Sequence, residues 1–168
     1  MNNRHEIWVF VEQEKGEIAP VSLELLGEAR ELAAKLDGPV IALLFGHGVE
    51  GLSKQAIQHG ADRVLLAEHP ELETYRTLPY ARVAIDLVQE RNPYILLLGA
   101  SPIGRDLAPR IASATTAGLT ADCTQLQIGD FERKGTVYRD LLYQIRPAFG
   151  GNIIATIVNP ETRPQMAT

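Results

Sequence analysis

The sequence predicts a three-layer α/β fold, with helices on both faces of a mostly parallel sheet and an antiparallel edge at its C-terminal end. Three observations predict it. Short apolar runs alternate four times with segments of helical period. The run Val40 to Phe45 is apolar on both faces, as in a strand covered from each side. After Gly118 the alternation stops, and β-rich segments follow with no helix of ordinary length between them.

Each element has its own signal. Ile7 to Val11 is a short run of β-formers bounded by polar residues, the first strand. Ser22 is placed to cap the helix that follows, in which Leu25, Ala29, Leu32 and Leu36 share a stripe and Gly38-Pro39 end it. Val40 to Phe45 is the second strand. A short helix from Gly51 to His59 stops at Gly60. Arg63 to Ala67 is the third strand. A helix opens near Thr77, in which Ala81, Ala84, Ile85 and Val88 share a stripe, and closes at Asn92-Pro93. Tyr94 to Leu98 is the fourth strand, and Gly104 to Ala114 a further helix. Parallel strands joined by helices imply right-handed crossovers. The later segments, Asp122 to Ile128, Thr136 to Ile145 and Asn152 to Val158, with turns at Gly129-Asp130 and Lys134-Gly135, are expected to finish the sheet. The closing stretch NPETRPQMAT reads as a chain leaving the domain.

Composition excludes several functions. The 168 residues suit one domain that buries roughly two-thirds of its unfolded surface. Sixteen basic against twenty-one acidic residues give a net charge of −5, so neither nucleic acid nor an anionic membrane is the expected partner. No apolar run is long enough to span a bilayer, and the start lacks a signal-peptide stretch. The single cysteine, Cys123, forms no internal disulfide and fits a reducing compartment, so a cytoplasmic location is expected. His5, His47, His59 and His69 stand apart, without the spacing of metal ligands.

Three segments have the residue types of a binding site. Gly46, Gly48 and Gly51 follow a strand and open a helix, with Glu68 about 20 residues on. That is the spacing of a dinucleotide fingerprint, with a pyrophosphate on the helix N-terminus and the acid on a ribose. The other reading is a βα loop whose glycines serve the turn. The second segment, Gly99 to Asp106, lies where the fourth strand hands over to a helix. Its G-x-S-x-x-G spacing is one residue too long for a nucleophile elbow, and the other reading is a tight βα turn with Asp106 favouring the helix start. The third is Gln144 to Asn152. Pro147 forces Arg146 into extended geometry, projecting a permanent cation from the sheet; the other reading is a hairpin loop with an arginine in solvent.

The segments IWVFVEQEKGEIAPVSLELLGEARELA, GRDLAPRIA, GLTADCT and RPAFGGN occur in that order. Together, over essentially the whole chain, they resemble the alpha subunit of electron transfer flavoproteins. RPAFGGN is more like the electron-bifurcating members than the mitochondrial type, which reads closer to R-x-I-Y-A-G-N. The resemblance implies a Rossmann-like α/β domain over residues 1–160, with 161–168 beginning a linker to a C-terminal FAD domain. It implies a heterodimer in which a beta subunit holds a second FAD facing this domain, no cofactor being bound by this domain alone. Arg146 is the residue carried over to that flavin, with Phe149, Gly150, Thr120 and Asp122 along the same edge. Electrons would pass between NADH, an acyl-CoA dehydrogenase-type flavoenzyme and ferredoxin or flavodoxin, with no bond chemistry by this domain. The alternative is a stand-alone nucleotide-binding module or NAD-dependent oxidoreductase using Gly46, Gly48, Gly51 and Glu68.

Overall fold

The computed structural model describes residues 5–148 and 153–168. Every residue of β1 (Ile7–Val11) is buried, and the two faces of the strand feed different cores. A tight hairpin comes next, β2 (Gln13–Glu14) and β3 (Glu17–Ile18), turning at Lys15-Gly16 with φ of 54° and 80°. Two successive positive φ values are what a two-residue hairpin turn demands. Pro20, at the first turn, sets the start of α1 (Pro20–Leu36). Ser22 is not its cap. The serine lies one turn inside, fully buried, and its Oγ accepts the Glu12 N–H at 2.8 Å.

The next elements are β4 (Val40–Gly46), a 3-10 turn at Glu50–Leu52, α2 (Ser53–Gln58) and β5 (Arg63–Glu68). Then come α3 (Thr77–Arg91), β6 (Ile95–Leu97) and α4 (Pro102–Thr115). Three of these helices end on a left-handed residue: Asp37 after α1, Asn92 after α3 and Thr116 after α4. Each cap returns its N–H to the last turn.

Beyond α4 the chain makes β7 (Gly118–Thr120), β8 (Gln125–Arg133), β9 (Thr136–Pro147), β10 (Ile154–Ile157) and β11 (Gln165–Ala167). Among the described residues, the main sheet has six strands in the order β5-β4-β1-β6-β11-β7, and every pairing described in it is parallel. One face presents Ile7, Val9, Val11, Ala42, Leu44 and Leu97 to α1. The other presents Trp8, Phe10, Leu43, Phe45, Leu96 and Met166 to α3 and α4. This odd-even division is the pleat made visible.

The C-terminal strands depart from expectation in two ways. They are antiparallel, but β8, β9 and β10 form a sheet of their own rather than an edge of the main one. Leu142 of β9 joins the α1-side core, with Leu126 and Ile128 of β8 packed against it, so this small sheet covers part of that face. The stretch 161–168 does not leave the fold either. Its Gln165–Ala167 triplet is fully buried between β6 and β7, and Arg163 stacks on the Tyr94 ring at 4.5 Å beneath it. Gly129-Asp130 is a bulge inside β8, whereas Lys134-Gly135 does turn the hairpin, with φ of 52° and 79°.

Candidate functional site at the carboxyl edge

Strand order sets where a ligand could lie. From β1 the chain steps to β4 and β5 on one side, then returns to place β6 on the other. The carboxyl ends of β1 and β6 therefore flank a switch point, the place where α/β domains gather ligands. Glu12 follows β1 there, and Gly99 to Ser101 follow β6. Ser101 caps α4 by accepting the Gly104 N–H, and its hydroxyl donates to Glu12 Oε1 at 2.7 Å. A Cβ on Gly104 would overlap the Gly99 carbonyl oxygen, and one on Gly99 would press on Glu12 Oε1 at 2.8 Å. The glycines of this segment thus serve close packing of helix, strand and carboxylate. Burial raises the Glu12 carboxyl above its ordinary range, and the Ser101 bond offsets this in part.

Asp106 looks the other way. Its carboxylate accepts from Thr77 Oγ1 at 2.6 Å and Tyr75 OH at 2.7 Å, which ties α4 to the start of α3 and holds the acid below its ordinary range.

The far corner of the same edge joins the two sheets. Thr168, after β11, gives its N–H to the Thr120 carbonyl and accepts from Cys123 N–H at 2.8 Å. Thr124 N–H then reaches the Ile145 carbonyl, next to Arg146. A cleft of about 310 Å3 opens beside this corner, lined by Val21, Glu24, Gly99, Cys123, Thr124 and Thr168.

The carried-over residues separate here. Arg146 pairs with Ala155 across β9 and β10, half-buried, and lines a cleft of about 390 Å3 with Pro147, Ala148 and Ala155. It has no hydrogen-bond or ion-pair partner among the described residues, although its charge is felt at Cys123. Burial dominates at that thiol and, with a smaller contribution from Asp122, raises it despite Arg146, so Cys123 is a protonated, weakly reactive group at neutral pH. Asp122 sits in the left-handed region at φ 59° and pairs with Arg105 at 2.7 Å. Thr120 is buried, with its carbonyl spent on Thr168. Phe149 and Gly150 lie outside the described residues.

The glycine fingerprint resolves into a loop that binds its own acid. Glu68 accepts from Val49 N–H at 2.7 Å and Gly48 N–H at 3.3 Å, the donors a pyrophosphate would need. A Cβ at Gly46 would strike Val49, and Gly48 turns at φ 68°. The loop leads into one 3-10 turn and a six-residue helix, a weak dipole whose positive end is already met by the Glu68 carboxylate.

These features define a Rossmann-like α/β domain whose glycine loop is closed on its own glutamate and whose carboxyl edge presents Arg146, a cation unpaired among the described residues. The electron transfer flavoprotein domain model matches residues 7–168, and the chain belongs to the electron transfer flavoprotein family, on its alpha-subunit side. It is 55% identical to the electron transfer flavoprotein subunit alpha of Clostridium acetobutylicum over 162 residues, 96% of this chain and 46% of that one. The same-named subunit of Thermoanaerobacterium thermosaccharolyticum is 50% identical over 168 residues, 100% of this chain and 48% of the other. The LctC subunit of lactate dehydrogenase (NAD(+),ferredoxin) from Acetobacterium woodii is 44% identical, over 96% of this chain and 37% of its own. The chain thus spans about half the length, or less, of the curated relatives it matches.

Two signals were missed by reading the sequence alone. Glu12 gave no motif, since its meaning depends on the switch point that places it beside Ser101. Gln165 lies in a three-residue strand too short for any periodicity.

Proposed function

We propose that this domain pairs with an electron transfer flavoprotein beta subunit and frames that subunit's FAD with Arg146. The observation that carries the proposal is the half-buried guanidinium without a counter-charge among the described residues, beside a cleft walled by proline and alanine. A buried cation normally finds an anion in its own chain. One left open on a flat, apolar wall suits a planar ring that gains negative charge on reduction. FAD, when bound across this edge, supplies the one- and two-electron chemistry. Arg146 supplies a fixed positive charge near the ring, one of the levers by which a protein sets a cofactor's potential. Its guanidinium stays charged at any working pH, so the effect does not titrate away.

The full protein, in this reading, also has a C-terminal FAD domain, works in the cytoplasm and exchanges electrons with an acyl-CoA dehydrogenase-type flavoenzyme. No helix of this chain is long and apolar enough to cross a membrane among the described residues. Bifurcation between NADH and ferredoxin or flavodoxin is favoured by RPAFGGN and by a relative named for such partners, the NAD(+),ferredoxin lactate dehydrogenase subunit. The 40% identical acryloyl-CoA reductase electron transfer subunit beta of Anaerotignum propionicum supports instead the acyl-CoA side of this reading.

The test is a redox titration of the reconstituted full-length heterodimer carrying Arg146→Ala. The potential of the beta-side flavin should fall, since the reduced, more negative ring loses its cation. A change on the order of 59 mV per electron corresponds to about a tenfold shift in equilibrium. An unchanged potential would remove Arg146 from the flavin.

A further inference from the structure

We infer that Gln165 is a positioning residue for Arg146, splinting strand β9 to the parallel sheet; this rests on the flavin-facing reading of Arg146. Strands β9 and β10 differ in length. β10 ends at Ile157, opposite Gln144, so β9 has no β10 partner at Leu142. The Leu142 N–H points away from β8 and would be an orphan in the core. Gln165, in the middle of the parallel sheet, reaches across and accepts it through Oε1 at 2.9 Å. A side chain of one sheet thus stands in for a missing strand of the other.

This placement is costly, and the cost argues for a positional purpose. Gln165 and Gln144 are both 0% exposed, and the Nε2 of each has no acceptor among the described residues. Gln144 Oε1 makes a long contact of 3.5 Å with Asn159 Nδ2. An aliphatic residue at 165 would avoid an unpaired amide nitrogen, but it would leave the Leu142 N–H unsatisfied. Period-two alternation puts Leu142, Gln144 and Arg146 on one face of β9. The bond to Gln165 therefore fixes the rotation and height of the face that carries the arginine.

The experiment is a double-mutant cycle read as the beta-side flavin potential in the full-length heterodimer. Gln165→Met keeps the volume and deletes the acceptor. It should lower the potential in the same direction as Arg146→Ala, by a fraction of that shift. The Gln165→Met/Arg146→Ala double variant should match Arg146→Ala, because a residue acting through the arginine has nothing left to act on. A Gln165→Met shift that persists undiminished without Arg146, or no shift while Arg146→Ala produces one, overturns the inference. No shift from Arg146→Ala instead overturns the flavin reading beneath it. Should Gln165→Met fail to assemble, Gln165→Asn, one methylene too short to reach Leu142, is read in its place. Hydrogen exchange in the unaltered heterodimer gives an answer without any variant. The Leu142 amide should be protected like those of β1, and rapid exchange there would equally overturn the splint.

Discussion

Glu12 shows how one residue's surroundings set its charge. Its side chain is nearly buried, with the Ser101 hydroxyl for company and no salt-bridge cation among the described residues. Burial is the larger effect, so the folded carboxyl holds its proton to higher pH than the unfolded chain, whose ordinary value is 4.5. The folded state therefore binds more protons in the interval above 4.5. The stability tied to Glu12 is full below that value and is lost as pH rises through the folded pKa. Glu12→Gln keeps a hydrogen-bonding end and cannot ionise. Its unfolding midpoint should exceed the parent's at pH 8, with the margin shrinking as pH falls through the folded pKa towards 4.5 and constant below that. A margin independent of pH would show that burial of the charge is not the cause. Arg146, by contrast, could be singled out in the sequence because proline beside arginine restricts the backbone whatever surrounds it.

At the scale of elements, α4 is fixed by small residues. Gly104 lies against the Gly99 carbonyl, where backbone cannot give way as a flexible side chain would. Gly104→Ala should cost about 3 kcal/mol in urea unfolding, the upper end for overpacking a tight contact. A cost under about 1 kcal/mol would mean that the helix end slides freely. The loop after β4 makes a second prediction. Because Glu68 holds its amides, calorimetry of this chain with NADH or ATP should show no micromolar binding, and Gly48→Val should change nothing in that result. Micromolar binding abolished by Gly48→Val would restore the fingerprint as a nucleotide site. The βα units of α1 and α3 were legible in the sequence because each helix carried a sustained apolar period, and the short α2 through its Gly60 stop. β7, β11 and the β2-β3 hairpin were not, since their two or three residues lie in no apolar run like the one that marks β6. Ser22 misled because an N-cap preference is local, whereas its partner here is Glu12, ten residues back.

For the whole molecule, the class of fold followed from the sequence, but the arrangement of its final third did not. β11 is inserted between β6 and β7, a pairing over long sequence separation that no local pattern encodes. The expected antiparallel edge is instead a separate sheet, anchored through the Leu142–Gln165 bond and through the Cys123–Thr168 and Thr124–Ile145 bonds. This anchoring brings Arg146, near the end of β9, beside the carboxyl edge of the parallel strands, where a partner's cofactor could meet it. On this reading the domain turns Arg146 toward a flavin held by another chain. The most direct measurement is a crystal structure of the full-length alpha subunit bound to its beta subunit with FAD. The Arg146 guanidinium should then lie within hydrogen-bonding reach of the flavin ring, about 2.7–3.2 Å. An Arg146 in solvent, or paired with a carboxylate of either subunit away from the ring, would contradict it.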